Sequence, residues 1–395
     1  MLEKQQIIDK HMKEFEAEPE VIVEVPGVLV LFGQFADHFK GYALCGANEL
    51  RLYVSISKRP DSMVRISNSF SNDHKRFSLS TSASGIKFRK EDRWGNYVKG
   101  AIAETLSSGS LTGMNIALNG DLLACDNETV ASAVGLGITM AIDRLYDLNM
   151  DKNVIIRNIF HSCTVFCSEN CKYMTLLTML NAKPGKLLAY DMQKIDYSYV
   201  GFPFVEGMER MLVVESKIPQ SAMREEVENS QASMKTAVDK LRKYYARGSL
   251  REFPENELKD RIVPIDEESR QICLFLLDES KVSKEAPKLF ETADALHIGR
   301  SLSRIEKGLR DNLELTCPEV DWLIKRAGEN PSCLGSCMVS TGNSGSILMM
   351  FGKEGIGSFR EKLEEYEHIF GFKAKWSYYT PGCGACVMHF LPSEC

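Results

Sequence analysis

The stretch "GMNIALNGDLLACDNETVASAV", residues 113–134, decides how the chain is read. "GMNIALNGDLL" reads as a strand, a turn follows, and from Val134 to Leu148 the apolar residues recur with helical period, ending near Asn149. A strand that turns into a helix can seat phosphate, because backbone N–H groups and the positive end of the helix point at the turn. Such a cradle also needs glycine, so that the main chain can approach the anion closely. Residues 122–134 contain none, and they carry Asp126 and Glu128 instead. The alternative is a capped helix, in which Asp126, Asn127 or Glu128 supplies from the protein the negative charge that the helix end attracts.

Upstream, "VIVEVPGVLVLFG" is dense in β-branched residues and reads as a buried strand broken by Pro26-Gly27, after a short amphipathic helix over residues 2–15. "LRLYVSIS" and "SMVRISNS" alternate apolar and polar residues and read as strands, and "WGNYVKGAIAETL" as a helix. Two helices cover residues 152–181, before the strand "KLLAYDM". Past residue 195 come the strand "RMLVVES", a long polar-faced helix in "SAMREEVENSQASMKTAVDKLRKYYARG", and two or three helices between residues 268 and 314. Strands at "CLGSCMVS", "SILMMFG" and "KAKWSYYT" end the chain, with a helix between the last two. Mixed elements in two blocks indicate an α+β protein, with domains expected at 1–192 and 193–395.

With 395 residues, 44% of them hydrophobic, the chain can bury an ordinary core. Its formal charge is −6 and its basic residues are dispersed, so no footprint for nucleic acid is expected. The N-terminus is unlike a signal peptide, and no apolar run reaches the roughly 18 residues of a spanning helix; a cytoplasmic protein without membrane association is expected. Twelve scattered cysteines then read as reduced thiols. Cys163, Cys167 and Cys171 recur every four residues after His161 and on a helix would share a face. Buried packing is the preferred reading, zinc ligation the alternative. Cys383 and Cys386 form a single C-x-x-C, half a zinc site. "GLG" at 135–137, inside the helical pattern, indicates close helix packing.

The ordered set "EAEPEVIVEVPGVLVLFGQFADHFKGYAL", "WGNYVKGAI", "LNGDLLACDNETVASAVGLGITMAIDRLYDL", "GLRDNLELTCPEVDWL" and "GNSGS" resembles the galactokinases, within the GHMP superfamily of small-molecule kinases. The resemblance spans nearly the whole chain. It implies a ribosomal-protein-S5-like N-terminal domain, a ferredoxin-like C-terminal domain and an active site in an interdomain cleft. Its most specific pieces, "GLRDNLELTCPEVDWL" against the family's S-L-R-D-D-F-E-V-S-C-P-E-L-D-x-L and "WGNYVKG" against W-x-N-Y-x-K-G, are both structural.

The chemical motifs depart from the family. Where galactokinases read P-G-R-V-N-L-I-G-E-H-T-D-Y, this chain reads "PGVLVLFGQFADH", which puts Val28 on the catalytic Arg and Gln34 and Phe35 on the sugar-binding Glu and His, and keeps Asp37. Losing partners for sugar hydroxyls leaves the remaining ones desolvated and unpaired, which counts against galactose in its usual pose. The family's P-x-G-A-G-L-S-S-S-A falls on "LACDNETVAS", with Cys125 and Asn127 on the glycines, Asp126 and Glu128 beside the phosphate position, Thr129 on one serine, and Ser132 closing the run. The family's C-G-I-M-D-Q falls on "CKYMTL", putting Thr175 on the catalytic Asp, and a neutral Thr is no general base. Losing Arg and Asp together avoids a buried unpaired charge. M-T-G-G-G-F-G-G falls on "MVSTGNSG", keeping Gly342 and Gly345 in what reads as a tight turn next to a following helix, and Y-N-x-R-R falls near residues 227–231.

These substitutions imply a galactokinase-like protein without catalysis, a pseudokinase that binds a small molecule or a protein partner through the former sugar and ATP cleft, needing no cofactor or metal. Two alternatives stand beside it. One is an active ATP-dependent sugar kinase of diverged substrate, which would require MgATP; the other is a structural or assembly protein reusing the fold.

Overall fold

The computed structural model describes residues 2–79, 82–106, 109, 111–245, 249–342, 344–352 and 355–390. The chain divides into two compact units that interleave along the sequence. One comprises residues 1–28, 47–182 and 382–395, the other residues 29–46 and 183–381. The linear division expected at residue 192 is therefore corrected. Both early strands carry residues of each unit, and the last segment belongs with the first.

In chain order the elements are α1 (Lys4–Phe15), β1 (Val21–Phe32), α2 (Ala36–Phe39), β2 (Tyr42–Lys58), β3 (Met63–Asn68), β4 (Asp73–Ser78), α3 (Gly95–Thr105), β5 (Met114–Asn119), α4 (Asn127–Tyr146), α5 (Lys152–His161) and α6 (Tyr173–Asn181). There follow β6 (Lys186–Asp191), β7 (Asp196–Gly201), β8 (Arg210–Glu215), α7 (Arg224–Tyr244), α8 (Glu255–Lys259), α9 (Glu267–Glu291), α10 (Ala295–Leu313), α11 (Pro318–Gly328), β9 (Cys333–Val339), β10 (Ser346–Phe351), α12 (Gly355–Phe370), β11 (Lys375–Tyr378) and β12 (Cys386–Phe390). The expected α+β class holds.

In the first unit the sheet runs β12-β1-β2-β5-β3-β4, with β3 parallel to β5 and β12 antiparallel to β1. Alternate residues of β2 serve its two faces. Val54 meets α4, where an added Cβ at Gly137 would lie 2.6 Å from the valine and one at Gly135 2.9 Å from Ile159. The "GLG" run is thus a site of close packing, as read from the sequence. On the opposite face Tyr53, Ser55 and Ser57 meet α1. Ile7, Ile8, Ile22 and Tyr53 form a small apolar cluster there, and the fully buried His11 bonds Ser55 Oγ through Nδ1 (2.9 Å) and Ser57 Oγ through Nε2 (3.1 Å).

The strand expected to break at Pro26-Gly27 does not break. Pairing with β12 ends at Glu24, so that edge asks no N–H of Pro26, and Gly27 lets Asn48 approach to 2.4 Å from where a Cβ would stand.

In the second unit the first residues of β2 pair with β6, β6 pairs with β7, and a separate antiparallel sheet runs β11-β8-β10-β9. Helices α10 and α11 lie against β9, and their junction explains the "GLRDNLELTCPEVDWL" stretch. Gly308 leaves room for the Phe275 ring, Glu314 turns the chain with φ 52°, Pro318 opens α11, and the Thr316 hydroxyl bonds Asp321. Among the described residues no helix is long and apolar enough to cross a membrane.

Candidate functional site

The residues singled out in the sequence fall into two groups belonging to different units. Val28, residues 125–132 and Thr175 lie in the first; Gln34, Phe35, Asp37, Gly342 and Gly345 lie in the second.

After β5, Gly120 (φ 125°) reverses the chain against the carbonyl of Arg51, and a short 3-10 turn over Asp121–Ala124 delivers it to α4. Asp126 is the N-cap: its backbone is extended (φ −63°, ψ 160°) and its Oδ1 accepts the Thr129 N–H at 2.8 Å. Of the three candidate caps, Asp126 takes the N-cap position. Glu128, in the first turn, adds charge favourable to the helix end and lies 3.5 Å from the Lys172 ammonium. Burial pushes the Asp126 carboxyl above its ordinary value, opposed by the Thr129 N–H and by Lys172. Thr129 is buried, Asn127 exposed and Cys125 half-buried. The buried Ser132 hydroxyl lies 3.6 Å from Cys171 Sγ. Thr175 is buried in the first turn of α6, and Val28 is buried in β1.

In the second unit Gly33 (φ 79°) makes a tight turn against the carbonyl of Tyr42. The next N–H, of Gln34, donates to Glu279 Oε1 at 3.1 Å. Phe35 packs into the apolar core, and Asp37 sits half-buried in the first turn of α2. Gly342 (φ 89°) and Gly345 (φ 65°) belong to the connection between β9 and β10. That loop leads into β10, the strand read at "SILMMFG", and the helix read as following, α12, comes after that strand. Gln220 braces it, donating from Nε2 to the Gly342 carbonyl (3.1 Å) and accepting the Ser344 hydroxyl (2.6 Å). At Gly345 a Cβ would stand 2.4 Å from Ser216 Oγ, so packing requires glycine there with or without a ligand. Residues 227–231 lie within α7.

The cysteine row does not share a helix face. α5 ends in a π-turn over Ser162–Phe166, Cys167 caps it, and Ser168 (φ 56°) turns the chain away before Cys171. Cys163 and Cys167 are buried. Cys167 Sγ points to the Asn96 carbonyl at 3.5 Å. His161 pairs with Glu104 at 2.8 Å. Among the described residues no group of three or more His, Cys, Asp or Glu side chains is placed to hold a metal ion.

Two charged residues escaped the sequence reading. Lys172 stands inside "CKYMTL", but its ion pair with Glu128 joins residues 44 positions apart. Glu279 is buried in α9, three and four residues after Leu276 and Phe275, so an acid on the apolar stripe of an amphipathic helix was the available signal.

No protein-family profile matches the chain. Among known proteins it is similar to a provisionally named galactokinase of Treponema pallidum (strain Nichols), 28% identical over 382 residues that cover 95% of this chain and 94% of that one. It is also similar to the galactokinase of Pyrococcus furiosus, 23% identical over 379 residues, covering 93% of this chain and 99% of the relative. Among solved structures the Lactococcus lactis galactokinase complexed with galactose superposes with a TM-score of 0.86 at 18% identity, covering 97% and 99% of the two chains. The mevalonate kinase of Methanococcus jannaschii gives 0.60 at 14% identity, covering 92% and 99%. In sequence the chain is thus similar to galactokinases over nearly its whole length, and in fold to a galactokinase and a mevalonate kinase.

Proposed function

We propose that this galactokinase-like protein is a pseudokinase, which binds a neutral small molecule or a protein partner with the surfaces its relatives devote to sugar and nucleotide. The observation that carries the reading is the occupied mouth of α4. The Thr129 N–H, which a phosphate cradle would leave for the anion, is taken by the Asp126 carboxylate at 2.8 Å, and Glu128 stands in the same turn. Like charges about 4 Å apart repel by roughly 1 kcal/mol in water and by several times more where water is scarce. Residues 125–129 therefore do not fit a triphosphate. Val28 and Thr175 add no ionisable group at the positions that the resemblance assigns to catalysis.

One observation favours the active-kinase alternative. The Lys172 ammonium, 3.5 Å from Glu128, is a cation beside the same turn, and a rearrangement releasing it would supply charge for phosphate. In that case MgATP would be the phosphoryl donor. Calorimetric titration with MgATP, cross-checked with a fluorescent ADP analogue, separates the two. The pseudokinase reading expects no binding up to millimolar nucleotide. Micromolar binding that weakens on substituting Thr129 or Gly342 would overturn it and open the search for an acceptor.

A further inference from the structure

The sheet of the first unit ends at β4, and among the described residues no strand pairs with the other side of that edge. Just past the strand the Leu79 N–H bonds the Ser62 carbonyl at 2.6 Å, in register with the ladder to β3. The odd-numbered residues of β4 therefore bond β3, and the N–H and C=O groups of His74, Arg76 and Ser78 point away from it. The side chains of those three share one face of the sheet and are exposed. A polar row crosses that face from strand to strand: Ser57 of β2 beside Asn115 of β5, Asn115 beside Arg65 of β3, and Arg65 beside Arg76.

The row ends in two like charges. Arg65 and Arg76, both exposed, oppose each other as a non-hydrogen-bonded pair, the closer kind, with Cα atoms about 4.5 Å apart, and like charges so placed destabilise a sheet. The acids around them are engaged elsewhere. Arg59 holds Asp61 through two N–H groups, at 2.9 and 2.5 Å, and donates to Asn115 Oδ1 at 3.1 Å. Glu14 pairs with His74 at 2.7 Å, and Asp73, on the other face, pairs with Lys75 at 3.0 Å. Neither Arg65 nor Arg76 has an ion pair or a side-chain hydrogen bond among the described residues. Basic residues on an edge strand discourage unwanted pairing. Arg65, on an inner strand, does nothing for that purpose.

We propose that the edge of β4 takes an extended acidic segment of a partner protein as an added strand. The outward main-chain groups of His74, Arg76 and Ser78 would continue the ladder, and a carboxylate opposite Arg76 would lengthen the polar row and offset the arginine pair. A second copy of this chain does not fit. β4 reads Asp-His-Lys-Arg-Phe-Ser, and in the fullest registers antiparallel self-pairing sets Lys75 against Arg76, Arg76 against Arg76, or Lys75 against Lys75. Affinity would come from the main chain and selectivity from the arginines. This inference does not rest on the pseudokinase reading.

The probe is a fluorescein-labelled peptide in which glutamate alternates with threonine, so that an extended chain sets every carboxylate on one face. Fluorescence anisotropy with the full-length protein at low salt should show saturable binding that falls with added salt. Arg76→Gln should weaken it about fivefold, and Arg65→Gln by a similar factor. The double change Arg65→Glu with Arg76→Glu should turn the preference toward the same peptide carrying lysine for glutamate. A peptide of unchanged charge with proline for threonine cannot complete the ladder and should not bind. Equal binding of the proline peptide would reduce the effect to surface charge and overturn strand addition. No saturable binding up to millimolar peptide, or binding that neither arginine substitution alters, would also overturn the proposal and leave the charges of β4 as a guard on the edge.

Discussion

Asn96 in α3 and Asp126 at the start of α4 are both polar side chains turned on their own backbone, and they do so to different depths. Asn96 is almost fully buried; its Oδ1 accepts the Arg89 N–H (3.1 Å) and its Nδ2 donates to the Arg89 and Arg93 carbonyls (2.8 and 3.1 Å). Asp126 is half-buried and closes one N–H, with a cation pair at its edge. The first arrangement is a closed knot that no ligand can enter. The second is a stopper in a position where a helix would otherwise welcome an anion. "WGNYVKG" and "LACDNETVAS" thus differ in kind, one holding scaffold and the other filling a vacancy that the fold would present.

The comparison is most exposed at Asn96. Asn96→Ala removes an acceptor and two donors at once; the Arg89 N–H loses its acceptor, while the Arg89 and Arg93 carbonyls keep the N–H groups of Asp92 and Asn96, for an expected loss of roughly 3 kcal/mol, about 1 for each hydrogen bond. Urea denaturation followed by circular dichroism reads it directly. A loss under about 1 kcal/mol would mean that water satisfies those groups and that the knot is not closed.

His11 extends the contrast to a titratable group. Both ring nitrogens are bound to serine hydroxyls of β2, and burial pushes the imidazole down to about 4. The unfolded chain takes up the proton near 6.5, so the stability His11 contributes as a neutral ring is fully present above that pH. It is lost as pH falls from about 6.5 toward 4, by roughly 3 kcal/mol at the lower end. In His11→Gln, which cannot ionise, stability between pH 7 and 4.5 should fall less steeply than in the parent. Parallel curves would show that the ring accepts its proton in place.

How far all this could be read from the sequence depends on how local the cause is. The strand, turn and helix of residues 113–146 were legible because the glycine-free acidic turn and the helical period sit next to each other. Gly135 and Gly137 were legible as packing glycines for the same reason. The unbroken β1 was not, since Pro26 is tolerated only because β12, more than 350 residues later, stops pairing at Glu24. The five-residue β12 itself begins at Cys386, the second cysteine of the C-x-x-C, a motif whose local meaning is half a zinc site rather than a strand. Alternation in "LRLYVSIS" announced two faces, but that Ser55 and Ser57 would meet a histidine more than 40 positions away carried no local mark. In the candidate site the substituted residue types were visible in the chain; the partners that occupy them, Lys172 for Glu128 and Glu279 for the Gln34 N–H, had to come from the fold.

The finest test of the stopper separates its charge from its hydrogen bond. Asp126→Ala loses the cap and should cost about 1 kcal/mol, whereas Asp126→Asn keeps an acceptor for the Thr129 N–H and should cost a few tenths. Glu128→Gln removes an ion pair held at 3.5 Å and should cost about 0.5 kcal/mol. Stability alone would rank these as three small effects; pyrophosphate titration tells them apart. If the carboxylates exclude anions, the double change Asp126→Asn with Glu128→Gln removes the Lys172 ion pair with Glu128 and lowers the local negative charge, so pyrophosphate should bind measurably and in a salt-sensitive way. Asp126→Ala alone should bind it less well, because Glu128 still holds the lysine. Equal silence in all three would locate the obstacle in the missing glycines, since a main chain that cannot approach the anion gains little from losing its repulsion.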